Sequence, residues 1–118
     1  MKYMLLIYGN QETWDALSEL GLDNVMATHQ QLSEDLTAAG EMIDTMGLTV
    51  EGAQVLRIQD GQILVTDGPF SESKEVLAGY YLVDCASPER AAEIAARLPE
   101  APYSPIEIRP VPKDWSPR

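Results

Sequence analysis

Apolar positions in this chain form two kinds of run, continuous and periodic, and the contrast predicts most of the fold. Residues 2–8 (KYMLLIY) and 77–85 (LAGYYLVDC) are nearly unbroken in apolar side chains, the pattern of strands covered on both faces. Over residues 10–39, by contrast, Leu22, Val25, Met26, Leu32 and Leu36 recur at three- and four-residue spacing, with Asp23, Glu34 and Asp35 mostly off that stripe. This predicts a helix, and Gly40 supplies its stop. Residues 53–66 (AQVLRIQDGQILVT) place Asp60-Gly61 between two β-prone runs, the signal of a hairpin with a two-residue type I′ turn. Ser87-Pro88-Glu89 combines an N-cap, a proline for the first helical position and an acid for the first turn, so a second helix is expected with Ala91, Ile94, Ala95 and Leu98 buried. Pro99 ends it. A last strand follows over residues 106–111, and then a proline-rich tail over residues 112–118.

The order β-α-ββ-β-α-β predicts a single α+β domain over residues 1–118, ferredoxin-like, with an antiparallel sheet and helices on one face. The two continuous strands fall at the centre of that sheet. Helices cover only one face of it, so the other needs a partner, and a second copy of the chain is the simplest one. A homodimer is expected.

Charge and cysteine content narrow the function classes. The 118 residues carry a net charge of −11, and no Lys or Arg occurs over residues 9–56. A face of that kind repels phosphate backbones and anionic lipid, so nucleic acid and membrane surfaces are not expected partners. No apolar run approaches the ~20 residues of a membrane helix. Cys85 is the sole cysteine, which excludes an internal disulfide and a thiolate metal cluster. The start of the chain does not read as a secretory signal, so a cytoplasmic location is expected. Nothing calls for a metal or another cofactor.

The stretch DGPFSESKE, with GYYLVD close behind it, resembles the YCII-related family in the branch named for its Asp-Gly-Pro-Phe motif. Asp67, Gly68, Pro69, Phe70, Glu72, Lys74, Glu75, Gly79 and Tyr80 match the pattern of that branch, and the opening MKYMLLIYG and closing IEIRPV are similar to it as well. The resemblance implies a dimeric α+β barrel. It also implies a possible enzyme using a His and an Asp near a cleft, or a non-enzymatic accessory associated with extracytoplasmic-function sigma factors. His29 falls where the family His lies. The family Asp precedes a Pro-Tyr pair, and here that segment reads Ala101-Pro102-Tyr103. A carboxylate for His29 is therefore expected only from Asp67 or from the Glu72–Glu75 turn.

On the residues themselves, His29 is the one side chain whose ordinary pKa suits acid–base work near neutrality. It lies on the apolar stripe of its helix, so it is either a catalytic group or a buried histidine bonded to backbone. Asp67 ends a strand and either joins the site or stabilises the corner that Gly68-Pro69 makes. Phe70 is expected to plug the core beside it. Glu72, Lys74 and Glu75 either border a cleft or form a solvated turn. Tyr80 and Tyr81 are adjacent in a strand and face opposite sides of the sheet. One of them either binds an anionic or carbonyl-bearing small molecule together with Arg57 from the hairpin, or is a core residue with its hydroxyl on a backbone group. The reading that follows is a small-molecule cleft with acid–base chemistry at His29.

Overall fold

The structure, a computed structural model, describes residues 1–70 and 75–114. Its elements run β1 (Lys2–Gly9), α1 (Gln11–Leu20), α2 (Leu22–Ala38), β2 (Met42–Gly47), β3 (Gln54–Gln59), β4 (Gln62–Asp67), β5 (Val76–Asp84), α3 (Pro88–Ala96) and β6 (Ile106–Pro110). β2, β5, β1 and β6 make one sheet in that order, with every neighbouring pair antiparallel. The two continuous apolar runs are therefore the central strands, as their pattern predicts. Among the described residues no helix is long and apolar enough to cross a membrane.

Side chains alternate across that sheet. Tyr3, Leu5 and Ile7 of β1, with Tyr81 and Val83 of β5, face the helices and are buried against Leu32 and Leu36 of α2 and Ala91, Ile94 and Ala95 of α3. The intervening Met4, Leu6 and Tyr8 point to the opposite face and are half-buried. Ser87 accepts a hydrogen bond from the Arg90 N–H, and Pro88 opens α3 as expected. α2 ends in a Schellman turn: Gly40, with φ of 72°, lets its own N–H reach the Thr37 carbonyl and the Glu41 N–H reach that of Leu36.

Three expectations need correction. The helical region over residues 10–39 is two helices, because Gly21 adopts φ of 91° between them, a conformation that breaks a helix. With the break, Leu22 and Met26 stand two-thirds exposed instead of joining the core. The second strand of the main sheet is β2, which sequence pattern did not reveal. The hairpin β3–β4 is a separate two-stranded sheet, although its turn is as expected, with Asp60 at φ 51° and Gly61 at φ 77°. Phe70 does not plug the core: it is 77% exposed, with the Arg57 guanidinium 5.6 Å from the centre of its ring.

The β3–β4 arm has two unlike faces. Register pairs Leu56 with Val65 and Ile58 with Ile63 on one side, and Arg57 with Leu64 and Gln59 with Gln62 on the other. The first side is aliphatic at its outer two pairs, with Gln54 and Asp67 at the base, yet Ile58 is 63% and Ile63 70% exposed. The arm lengthens the molecule, whose radius of gyration is 16.3 Å against the ~13 Å of a compact chain of about 100 residues.

β2 and β5 approach closely at Gly79, opposite Gly47. A Cβ there would lie 2.8 Å from the Met46 carbonyl oxygen, and backbone inside a ladder cannot retreat. Gly79→Ala is therefore expected to cost about 1–3 kcal/mol in urea denaturation. Wild-type stability in the variant would show that the ladder opens freely here.

Candidate functional site

α2 carries His29 toward the sheet two helical turns before its buried Leu36. Its Nδ1 lies 2.6 Å from the Tyr81 hydroxyl of β5, and its Nε2 lies 2.8 Å from Oε2 of Glu100. The imidazole and phenol rings are also stacked, 5.8 Å apart at 22°. Glu100 belongs to the turn after α3. Buried Leu98 anchors that turn, and the N–H groups of Tyr103 and Ser104 both donate to the Glu100 carbonyl, so the backbone that carries this carboxyl is fixed.

The direction of the hydrogen bonds follows from the acidities of the groups. Burial, first of all, pushes the Tyr81 phenol up to about 12; the Thr45 hydroxyl opposes that shift and the negative Glu100 adds to it. The phenol keeps its proton and donates it to His29 Nδ1. Nε2–H is then left to donate to the Glu100 carboxylate, which fixes one tautomer of the ring. The result is a hydroxyl–imidazole–carboxylate chain across three elements. Oε1 of Glu100 is buried and has no hydrogen-bond partner among the described residues.

The chain forms part of the wall of a cavity of ≈ 440 Å³, within the usual range for small-molecule sites. Trp14 of α1, Met26, Leu48, Val50 and Leu77 supply much of the apolar lining, and Thr45 and Thr49 add hydroxyls. Trp14 is held against Gly9, where a Cβ would lie 2.5 Å from the indole. Asn10, which caps α1 through a reciprocal pair of bonds with Thr13, sets the angle at which that helix leaves β1.

The sequence candidates separate. His29 and Tyr81 meet in the cavity wall. Tyr80, on the opposite face of the sheet, donates to Asp44 Oδ2 at 2.8 Å, and that bond to a carboxylate raises its phenol pKa. Arg57 lies exposed on the arm beside Phe70 and does not line the cavity. Asp67 ends β4 opposite Gln54, exposed and outside the lining. Glu72 and Lys74 lie outside the described residues. The expected gap in carboxylates is filled by Glu100, which stands one position before Ala101. Its extra methylene relative to Asp lengthens the reach of the carboxylate, and an acid next to the Ala-Pro-Tyr segment was the signal for it. Among the described residues no group of three or more His, Cys, Asp or Glu side chains is arranged to hold a metal.

Titration of Tyr81 gives a test of its burial. Its pKa is raised from an ordinary 10 to about 12, so its stabilising effect is complete below pH 10 and is lost as pH rises toward 12. At about 1.4 kcal/mol per unit, the loss amounts to about 2–3 kcal/mol. Alkaline unfolding of Tyr81→Phe should lack that part of the slope. An unchanged slope would mean that the phenol ionises freely in the folded protein.

A family model described as the YCII-related domain matches residues 1–116 of the chain. An uncharacterised protein of Rhizobium meliloti (strain 1021) is 34% identical over 114 residues, covering 94% of this chain and 92% of its own length.

Proposed function

We propose, from the premise that this chain belongs to the YCII-related family, that it catalyses proton transfer on a small molecule held in the cavity beside His29. The observation that carries the reading is the Tyr81–His29–Glu100 chain at the cavity wall. His29 accepts a proton from a substrate carbon or hydroxyl at Nδ1. Glu100 holds the opposite nitrogen and stabilises the imidazolium that forms, as the carboxylate of a hydroxyl–imidazole–carboxylate triad does. Tyr81, released from Nδ1, donates its O–H to the substrate oxygen on which charge develops. The proton then returns from His29 to another substrate atom, so the reaction class is isomerisation or elimination next to a carbonyl.

The working unit in this reading is a homodimer. Its support is the half-buried apolar face of β1 and β5 that no helix covers, together with the exposed aliphatic side of the arm. An isolated hairpin of this kind is at best marginal in water.

Solvent-deuterium wash-in tests the chemistry without requiring the natural substrate. A panel of small carbonyl compounds with apolar bodies is incubated with protein in D₂O and followed by proton NMR. At least one should exchange its α-protons faster with protein than in buffer. If none does, His29 is a structural histidine and the proposal fails.

A further inference from the structure

Glu100 is 8% exposed, borders the cavity and has one oxygen occupied by His29. Its other oxygen, Oε1, has no partner among the described residues. A buried acceptor left unpaired is costly, so a group that donates to it is expected in the occupied state. Around it the lining is mostly aliphatic and aromatic, with Ile7, Trp14, Met26, Leu48, Val50 and Leu77 prominent. No Lys or Arg is among the described residues that line the cavity, and the chain as a whole carries a charge of −11. An anionic ligand would meet a carboxylate at the wall with no Lys or Arg among the described lining residues to neutralise it, inside a field that already repels it.

We infer that the cavity selects uncharged or cationic molecules with an apolar body and one N–H or O–H donor directed at the Glu100 carboxylate. This deepens the proton-transfer reading and rests on it for its relevance to chemistry. Of the anionic or carbonyl-bearing ligand expected from the sequence it keeps only the uncharged class, and Arg57 lies on the arm away from the cavity lining. The carboxyl would then have two tasks, fixing the histidine tautomer and orienting the ligand beside it. The donor requirement places the reacting atoms of the ligand next to the imidazole and its apolar part against Trp14.

Four matched probes test this: 2-phenylethylamine, 2-phenylethanol, its methyl ether, and phenylacetate. Each is titrated into the full-length protein while the ring protons of His29, the sole histidine, and the Trp14 indole signal are followed by NMR. The amine and the alcohol should bind about tenfold more tightly than the ether, the difference expected for one hydrogen bond to a buried charged acceptor, and phenylacetate should bind most weakly. In Glu100→Gln the advantage of the amine over the ether should disappear. Phenylacetate binding as tightly as the amine, four equal affinities, or no perturbation of His29 and Trp14 would each overturn the inference. Wild-type ranking alone decides the matter if the variant does not fold. The expected ranking combined with undiminished deuterium wash-in in His29→Gln would leave the ligand class standing and remove the catalytic reading.

Discussion

Exchange of His29 for glutamine is expected to slow the deuterium wash-in by about 10²–10⁴-fold, the usual contribution of a positioned acid or base. Exchange for leucine should in addition cost about 3 kcal/mol of stability, because it leaves the Glu100 carboxylate buried without its partner. The informative variant is the double one. His29→Leu with Glu100→Leu removes both partners of the hydrogen bond and fills the space with hydrocarbon, and apolar replacements of paired buried groups are often neutral or stabilising. Only the Tyr81 hydroxyl then loses a partner, at a cost of about 1 kcal/mol. Urea denaturation of the wild type and the three variants should therefore show a coupling of about 2 kcal/mol or more between the positions. Additive losses would mean that the two side chains do not act as a pair. A double variant near wild-type stability but without wash-in activity would show that the pair serves chemistry and not the fold.

The second large effect concerns assembly. Ile58→Glu combined with Ile63→Lys puts opposite charges at directly paired positions, so the hairpin itself keeps a favourable cross-strand contact. Its aliphatic side is lost. If that side is buried between copies, the dimer dissociation constant should rise about 100-fold or more. Sedimentation at micromolar concentration should then move from twice 13.0 kDa to the monomer mass of 13.0 kDa. A variant that dimerises as tightly as the wild type would remove the arm from the interface. A wild type that sediments as a monomer would remove the dimer altogether. Charge makes the arm a suitable place for two acidic chains to meet: over residues 54–66 only Arg57 and Asp60 are charged, and they cancel.

The parts of the fold legible in the sequence are those where local chemistry and burial agree. The central strands announce themselves because both faces are apolar, and α3 because Ser87 and Pro88 each satisfy a helix start. β2 does not, because MIDTMG has an acid in mid-strand. Asp44 is accommodated by the Tyr80 hydroxyl from the neighbouring strand, a tertiary bond with no local trace. The break at Gly21 is equally hidden, since one glycine in a helical pattern costs only ~1 kcal/mol and is often tolerated. At the site, His29 stood out by its chemistry alone. Glu100 did not, because a Glu after a helix end is ordinarily a solvated residue, and what distinguishes this one is a partner 71 positions away. Arg57 reads as a site residue as a hairpin cation beside a strand tyrosine, and Asp67 as the carboxylate of the Asp-Gly-Pro-Phe motif. The separate hairpin sheet carries both of them to exposed positions.

The strand order has a consequence for how such a protein can diversify. β2, β5, β1 and β6 complete their hydrogen-bonded sheet with the arm lying wholly between β2 and β5 in the chain. Lengthening or shortening β3 and β4 together, pair by pair, alters no register in the core and moves none of His29, Tyr81 or Glu100. Changes in the length or surface of the arm can therefore arise without disturbing the Tyr81–His29–Glu100 chain. Sequence changes of the two kinds fall on separate segments of the chain, so the arm and the cavity wall can vary independently of each other.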